Sequence, residues 1–283
     1  MKKFKIIVFF LFIGVFSGAA VAQTPQLLLK RTTTKTEKID FGSGGTLTLL
    51  GAPNGSIRVK GTNKNEIEIT AEIEVQAANE ADLALLANVT GFIVDERLGR
   101  ASIITIGTHN KLADKKLWKK FPQKLAALPF RIDYTVSVPL YSNLEIDGGK
   151  GDLSISNIEG AIKINFVDAN AKIEVNGDLD AIIGAGSVDV VFGPRFWRAR
   201  PASVQMATGE LIVQLPPSAS AEIDATILKS GTIDNKFAGL TPRNRKLPFT
   251  DRSIAAKMGV GGPQLKFTLG EGNLKIVPLA KPQ

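Results

Sequence analysis

Six aspartates lie close together in the second half of the sequence, and their spacing is compatible with hydrolytic chemistry. They are Asp147, Asp152, Asp168, Asp178, Asp180 and Asp189. Asp178 and Asp180 are two residues apart, so on a β-strand both side chains share one face, as the paired carboxylates of a glycosidase can do. Asp152 and Asp178 each stand between a glycine and a leucine, which predicts that they occupy equivalent corners and stack on one edge. The interpretation that we favour is turn chemistry and a solvated surface, because Lys150 and Lys163 interleave with these acids.

The residue counts exclude most other catalytic centres. The chain has 283 residues, no cysteine and one histidine, His109. It therefore has no thiol nucleophile, no thiolate metal ligand and no site that needs two imidazoles. His109 stands in a polar loop sequence, which favours a solvated side chain over a catalytic base. No nucleophile elbow, phosphate loop or calcium-binding nonapeptide is present. The sequence thus predicts a protein without catalytic residues, a bound metal or a cofactor.

Two basic and aromatic runs are the candidate binding segments. In the run 195–200, two aromatic residues lie among three arginines, which can stack on a sugar or grip an anion. In the run 111–128, lysines are mixed with apolar residues and Pro122 interrupts any single helix, so the run can contact anionic lipid or glycan. For both runs we favour the alternative, in which the aromatic rings (Trp118 and Phe121 in the second run) cover the core and the basic residues are solvated. The candidate binding residues are Arg195, Phe196, Trp197, Arg198, Arg200, Lys115, Lys116, Trp118, Lys119 and Lys120.

Residues 1–22 have the pattern of an export signal. Three lysines precede an apolar run over 6–16, which is too short to span a bilayer, and residues 20–22 form an A-x-A cleavage pattern. We expect cleavage before Gln23, which removes three lysines from a chain of net charge +8. No later stretch predicts a transmembrane segment, and the modest charge does not suggest nucleic-acid binding. The sequence predicts a periplasmic or extracellular protein whose partner is an unidentified envelope component, with anionic glycan or a membrane surface as candidates.

Alternation of apolar and polar residues dominates the chain after the signal. Residues 47–49 and 57–59 flank a Pro-Asn-Gly turn, which predicts a hairpin. Residues 67–75 predict a long strand with one buried face, and 103–106 predict another strand after a turn at 98–100. Asn79 followed by two acids predicts one short helix near 79–88.

From residue 130 onwards the sequence repeats a glycine followed by alternating aliphatic residues. Residues 151–154 resemble 177–180, and 160–164 resemble 186–190, so the two matches share one offset along the chain. Within each cluster the glycines are nine residues apart. Such units cannot bury their apolar face alone, and stacked neighbours close a shared core. The predicted inward positions are Leu153, Ile155, Ile162, Ile164, Ile173, Val175, Val188, Val190, Leu211, Val213, Leu265, Phe267, Leu274 and Ile276.

These patterns predict an all-β fold, a single elongated β-solenoid or rolled sheet of short strands. A β-sandwich is the alternative. No composition shift divides residues 23–283, so we expect one domain with N-terminal strands at 38–107, a basic connection at 108–129 and a repeat region at 130–283.

The order of these motifs resembles a bacterial family of exported proteins described as putative adhesins. The matching stretches are 45–49, 54–59, 134–139, 143–146, 151–155, 208–216, 259–263 and 270–277. They are glycine corners and alternating aliphatics, and the long basic connection departs from the family pattern. The resemblance implies a β-solenoid that acts as an adhesin or as a surface or scaffold module, and it carries over no catalytic residue.

We therefore predict a non-enzymatic envelope protein that presents an extended polar β face. One alternative is a polysaccharide-active enzyme that uses Asp178 and Asp180. Another is an envelope-stress or regulatory accessory protein.

Overall fold

The protein is all-β, as predicted. The computed structural model describes residues 28–112, 115–119, 121–193 and 200–279, without the side chains of Lys115 and Leu117. Within these ranges, 16 strands form one continuous sheet, accompanied by one helix of ten residues and two shorter helical segments. The predicted export signal lies outside the described residues.

Seven parallel rungs form the centre of the sheet, and the chain bends at a corner within each rung. Five rungs are single long strands: β8 (Asn143–Ser156), β9 (Ile162–Val175), β10 (Leu179–Phe192), β11 (Ala202–Leu215) and β16 (Gln264–Pro278). The two outermost rungs are split at the corner into two strands each: β2 (Thr46–Leu50) with β3 (Ile57–Thr62), and β12 (Ala221–Ser230) with β13 (Ile233–Asn235). In space the rungs follow the order β2/β3, β8, β9, β10, β11, β16, β12/β13.

Glycine makes six of the seven corners. The corner residues are Gly55, Gly151, Ala169, Gly186, Gly209, Gly272 and Gly231, and all six glycines have positive φ. At Gly209 φ is 133°, and an added Cβ would collide with the carbonyl oxygen of Gly186 on the next rung. Only glycine fits there, because it alone adopts this conformation readily and leaves room for the close approach.

At the corner, the buried residues of a rung change from odd-numbered to even-numbered positions, or the reverse. In β10, odd-numbered residues are buried over 179–183 and even-numbered residues are buried over 188–192. The parts of the rungs before the corner, which we call first arms, form sheet I, and the second arms form sheet II. The two sheets face each other across one core, where Phe192 of sheet II meets Phe267 of sheet I edge-on at a centroid distance of 6.4 Å. The fold thus has the parallel rungs of a solenoid, and it is also compatible with the sandwich alternative.

The inward positions predicted from the repeats are confirmed. All of them are buried, and none is more than 2% exposed. Alternation along each arm therefore identifies the core correctly, because every arm has one face in the core and one in water.

Further strands extend both sheets, and they pair in parallel next to β3 and β2 and antiparallel elsewhere. Three strands continue sheet II beyond β3: β7 (Phe130–Pro139), β4 (Glu66–Ala77) and β1 (Leu29–Asp40). The hairpin of β6 (Arg100–Ile106) and β5 (Gly91–Arg97) continues sheet I beyond β2, and β15 (Ser253–Met258) and β14 (Leu240–Pro242) continue it beyond β12. The N-terminal strands thus belong to the same sheet as the rungs.

The helices lie outside the rungs. Helix α1 (Glu80–Val89) follows Asn79, whose side chain accepts a hydrogen bond from the Asp82 N–H, and it packs against β1 and β4. This confirms the predicted short helix. In the basic connection, helix α2 (Lys115–Lys119) precedes Pro122, and a 3₁₀ turn (Gln123–Leu125) follows that proline.

Two sequence interpretations are wrong. Strands β2 and β3 do not form a hairpin, because Gly55 makes a corner and both strands then pair in parallel with β8. The repeat is also shorter than the one predicted from the sequence. Leu144, Ile162 and Leu179 are in register, so one full rung extends from Leu144 to the residue before Ile162. The offset between the matching sequence segments is as long as three arms. Because a rung has two arms, this offset aligns a residue of a first arm with a residue of a second arm, which lies on the other sheet.

The prediction that Asp152 and Asp178 stack on one edge is wrong for the same reason. Asp152 begins a second arm beside the corner, in register with Asn170. Asp178 precedes a first arm, at the edge where the rungs begin. The two carboxylates therefore lie at opposite ends of an arm.

Candidate functional site

The outer face of sheet I carries a row of polar side chains, one from each rung. Alternate residues of a strand face outwards, and the strand register aligns those of successive rungs. The row consists of Thr48, Glu145, Lys163, Asp180, Ser203, Lys266 and Asp224. Neighbouring strands are about 4.8 Å apart, so acids and bases alternate along the stack at close intervals. We call this set the sheet I row.

A groove of about 590 Å³ follows the sheet I row near the edge where the rungs begin. Its polar lining comes from Thr46, Asn143, Glu145, Lys163, Asp178, Asp180, Ser203, Gln264 and Lys266, and Ala161 and Pro201 contribute apolar surface. A second depression of about 270 Å³ shares Glu145, Lys163 and Asp180 with it and continues towards the corner. The two depressions together form an extended trough across several rungs.

The middle of the row is open to solvent. Lys163, Asp180 and Lys266 are exposed, and within the described ranges none of these side chains has a hydrogen bond or an ion pair. The ends of the row are occupied: Glu145 accepts a hydrogen bond from the Thr48 hydroxyl at 3.1 Å, and Asp224 is paired with Arg243. The central donors and acceptors are thus available to a ligand.

Asp178 lies beside the row and has one unsatisfied oxygen. Its Oδ2 is 3.6 Å from a guanidinium nitrogen of Arg200, whereas its Oδ1 is buried and has no hydrogen-bond partner among the residues that the structure describes. Strand spacing puts Asp178 and Asp180 about 7 Å apart along the chain, on the same outer side. Both aspartates line the groove, as the spacing of two residues predicts.

Of the run 195–200, only Arg200 falls within the described residues, and it stands at the groove edge beside Asp178. The candidates Arg195, Phe196, Trp197 and Arg198 lie outside the described residues. Of the predicted patch of arginines and aromatic residues, the structure thus describes Arg200 alone, and its side chain is 51% exposed.

The basic connection joins β6 and β7, the strands that pair with the outermost rung β2/β3. It leads into β7, where the Ile132 N–H donates to the carbonyl oxygen of Asn54 at the corner. Trp118 is half-buried and meets Phe121 edge-on at 4.9 Å, and Phe121 packs against the core. Lys116 and Lys119 are exposed, whereas Lys120 and the side chain of Lys115 lie outside the described residues. Within the described residues, Arg200 thus lies at the edge where the rungs begin, whereas the connection leads towards the corner at Asn54.

Sheet II has a more closed outer face. Asp189 accepts hydrogen bonds from the side-chain amide of Gln214 at 2.8 and 3.0 Å, and Lys275 pairs with Glu210 at 2.5 Å. Asp152 accepts a hydrogen bond from Asn170 at 3.3 Å. These polar groups are thus satisfied by neighbouring rungs, whereas the exposed Lys172 has no partner among the described residues.

His109 and the acidic side chains are the other titratable features of interest. His109 lies at the surface with its ring 5.4 Å from that of Phe130, and partial burial lowers the pKa of His109. In the ranges described, no three His, Asp or Glu side chains cluster as a metal site would require, and no helix has the length and apolar character needed to cross a membrane.

The sheet I row is absent from the sequence predictions. With the offset that the sequence suggests, Glu145, Lys163 and Asp180 fall in unrelated positions. With the true rung length, they recur at one position, directly after the first aliphatic residue of each first arm. That alternation of acid, base and acid is the signal that identifies the row.

The comparisons with known proteins give structural neighbours and no family. No family profile matches the chain, and no curated protein matches its sequence. The chain is similar to the crystal structure of a putative cell adhesion protein from Clostridium sporogenes, at 12% identity and a TM-score of 0.48, covering 87% of this chain and 100% of that one. It is also similar to a putative adhesin from Bacteroides fragilis, at 11% identity and a TM-score of 0.33, covering 87% and 97% of the two chains.

A third neighbour has a different name. It is a putative lipid binding protein from Parabacteroides distasonis, at 10% identity and a TM-score of 0.22, and the alignment covers 88% of this chain and 97% of that one. The neighbours are thus bacterial, and two of the three carry adhesion names.

Proposed function

We propose that this protein is an exported, non-enzymatic module of the bacterial cell envelope, which binds another envelope component through the outer face of sheet I. The role is that of an adhesin or a surface scaffold. The observation that carries the proposal is the open centre of the sheet I row, where Lys163, Asp180 and Lys266 face solvent without partners among the described residues.

The shape of this face supports binding of an extended partner. The row crosses the stacked rungs at intervals of about 4.8 Å, so a linear or flat partner can meet one side chain per rung. A trough of this kind supplies many shallow contacts rather than one enclosed pocket. Affinity then comes from the number of rungs that are engaged.

Two matched triple variants test the binding face. In K163A/D180A/K266A the open centre of the sheet I row is removed. In K172A/D189A/K275A, outward residues of the same three strands are removed from sheet II. We expect the first variant to lose co-sedimentation with an insoluble bacterial cell-wall fraction, and the second to retain it. Equal retention by both variants would contradict the assignment of the face.

Export depends on the predicted signal over 1–22. We expect the N-terminus of the protein recovered from the envelope of a bacterial host to be Gln23. Replacing Ala20 and Ala22 by bulky residues removes the small side chains that signal cleavage needs, so the uncleaved form accumulates. An unchanged N-terminus in that variant would contradict the predicted cleavage site.

Polysaccharide hydrolysis is the second candidate, because Asp178 and Asp180 line one groove. A hydrolytic general acid usually stands in an apolar, water-poor environment. Here Asp180 is exposed in register with Lys163, and Asp178 faces Arg200, so binding is the better interpretation. Release of reducing ends from a polysaccharide, lost in D180N, would establish hydrolysis instead.

A further inference from the structure

We infer that the basic connection is a peripheral membrane contact, which binds the anionic headgroups of a lipid bilayer. This contact goes beyond the proposed function, because it does not use the sheet I row. Three features of the connection carry the inference: its share of the net charge, an apolar pocket edged by lysines, and an exposed turn at its start.

The connection holds the whole charge excess of the chain that follows the predicted signal. Residues 1–22 contain three of the lysines that contribute to the net charge of +8. Segment 111–128 contains six lysines and one aspartate, and these account for all of the remaining excess. The other parts of the chain, 23–110 and 129–283, together have equal numbers of basic and acidic residues. A charge excess confined to one segment predicts an anionic partner for that segment.

An open pocket of about 370 Å³ lies on the connection. Its lining combines the rings of Trp118 and Phe121 with the side chains of Lys111 and Lys119. Both lysines are exposed, and neither has a hydrogen bond or an ion pair among the described residues. No described acidic residue lines this pocket, whereas the groove on sheet I has charges of both signs. The pocket thus presents apolar surface next to positive charge alone.

The aromatic rings give the pocket a fixed apolar wall. Trp118 is half-buried, and because its Nε1 is buried, the accessible part of the indole consists of carbon atoms. The ring meets Phe121 edge-on at 4.9 Å, and Phe121 packs against the core. Aromatic and lysine side chains together are typical of the boundary between acyl chains and headgroups. This combination favours a bilayer over an anionic glycan, which offers charge without an acyl layer.

A turn at the start of the connection exposes a cation and an apolar side chain side by side. Asn110 Oδ1 accepts hydrogen bonds from the N–H groups of Gly107 and Leu112, both at 3.3 Å, and its Nδ2 donates to the Thr105 carbonyl oxygen at 2.7 Å. Lys111 has a φ of 54°, in the left-handed region that residues other than glycine rarely occupy. Leu112, the next residue, is 55% exposed. Insertion at a charged interface needs such a neighbouring pair.

Co-sedimentation with lipid vesicles tests the inference. The mature protein that begins at Gln23 is used, so that the apolar signal cannot anchor it. We expect binding to mixed phosphatidylglycerol–phosphatidylcholine vesicles and little binding to pure phosphatidylcholine vesicles. Binding should fall as the salt concentration rises, because salt screens exposed charges. Equal binding to both kinds of vesicle, or no binding to either at low salt, would overturn the inference.

Charge reversal at the pocket tests its position. We expect K111E/K119E to bind the anionic vesicles about tenfold more weakly or worse, because each exposed lysine contributes to attraction by the surface. K60E/K172E is the matched control on the outer face of sheet II, where both lysines are exposed and have no partners among the described residues. It changes the net charge equally and should keep most of the binding. Equal losses in the two variants would overturn the assignment of the site.

Two single variants keep the test decisive if K111E/K119E does not fold. K119E leaves the turn at Lys111 unchanged, and we expect it to weaken binding severalfold. L112S removes the exposed apolar side chain without a change of charge, and we expect a severalfold loss here also. Melting curves establish that each variant is folded. Unchanged binding by both folded variants would overturn the inference.

Tryptophan fluorescence distinguishes a bilayer from an anionic glycan. The chain has two tryptophans, so in W197F the emission comes from Trp118 alone. We expect this emission to shift to shorter wavelength with anionic vesicles and to be quenched by lipids brominated on their acyl chains. Competition by soluble hexagalacturonate without such quenching would identify an anionic glycan and overturn the lipid assignment. The proposed function is tested separately, because it depends on K163A/D180A/K266A and the cell-wall fraction.

Discussion

The two outer faces of the stack come from the same rungs, yet their polar side chains differ in whether they pair with one another. On sheet II, Asp189 is held by Gln214 and Lys275 by Glu210. On sheet I, Lys163, Asp180 and Lys266 stand in one row without partners among the described residues. Because both faces share strand spacing and register, the difference lies in the choice of side chains and not in the backbone.

The comparison of the two faces distinguishes polar side chains that only keep a face hydrated from polar side chains that can bind a partner. An outward face needs only polar side chains that keep it hydrated, and a set of neighbours that satisfy each other does this well. A row that is left unpaired gains nothing in stability from its charges, since exposed pairs stabilise little in any case. Its open donors and acceptors are the reason why we propose the outer face of sheet I as the binding face.

The largest expected effect comes from the corner that separates the two faces. We expect G209A to lower the free energy of unfolding by about 3 kcal/mol, because the new Cβ meets the Gly186 carbonyl oxygen and φ is positive. Urea denaturation measures the change. A169G is the matched control at the one corner without glycine, and it should cost about 1 kcal/mol or less. Equal effects would contradict the steric explanation of the corner.

The next effect concerns the contact that joins the two sheets. The Tyr134 hydroxyl of sheet II lies 2.7 Å from the Thr105 hydroxyl of sheet I, and burial raises the pKa of Tyr134 to about 12. We expect Y134F to cost about 1.5 kcal/mol, because Thr105 loses its buried partner.

The raised pKa of Tyr134 has a second consequence at high pH. The folded state keeps the phenol proton more tightly than the unfolded state, so this group stabilises the protein below pH 10 and the contribution is lost as the pH rises towards about 12. We expect Y134F to lack that alkaline loss in a series of denaturation curves. An unchanged alkaline profile would show that the tyrosine is not the group responsible.

A smaller effect distinguishes the closed face from the open one. D189A removes the acceptor of two hydrogen bonds from Gln214 and should cost about 0.5–1 kcal/mol. D180A, in the same strand on sheet I, removes no such bond and should change the free energy of unfolding by less than about 0.5 kcal/mol. Equal losses in the two variants would remove the contrast between the faces.

The smallest expected effect is a pH dependence of stability that arises from Glu68 in β4, one of the strands that continue sheet II. Hydrogen bonds from Lys38, which has the larger effect, and from Lys64 lower the pKa of Glu68 from 4.5 to about 2. Because the folded-state pKa is depressed, the stabilisation is present above pH 4.5 and is lost as the pH falls towards about 2. We expect E68Q to flatten the acid side of the melting temperature profile slightly. A profile identical to that of the unmodified protein would mean that this surface pair contributes nothing measurable.

Much of the core could be predicted from the sequence, because alternation and burial have the same period in every arm. Residues such as Ile162, Val188 and Leu274 are buried as expected. The corner at Gly55 could not be distinguished from a hairpin turn, because both need glycine in the left-handed region. Only the pairing partner decides between them, and β8, the partner of both strands, is far away in the sequence.

The candidate site was harder to predict from the sequence than the core. The spacing of Asp178 and Asp180 predicts their shared side correctly, since it depends only on strand alternation. The neighbours of Asp180 in the row, Lys163 and Ser203, depend on loop lengths between rungs, which vary from a few residues to the whole of 193–201. Register across such loops is a tertiary property, so the row appears only in the folded structure.

The central claim is that the outer face of sheet I, and not that of sheet II, contacts the ligand. The most direct measurement is the change in backbone amide chemical shifts as soluble fragments of the bacterial cell wall are added. We predict that shifts concentrate at 143–145, 161–163 and 178–180, on the first arms, and leave 152–154, 170–172 and 187–189 unchanged. Shifts concentrated on the second arms would contradict the claim.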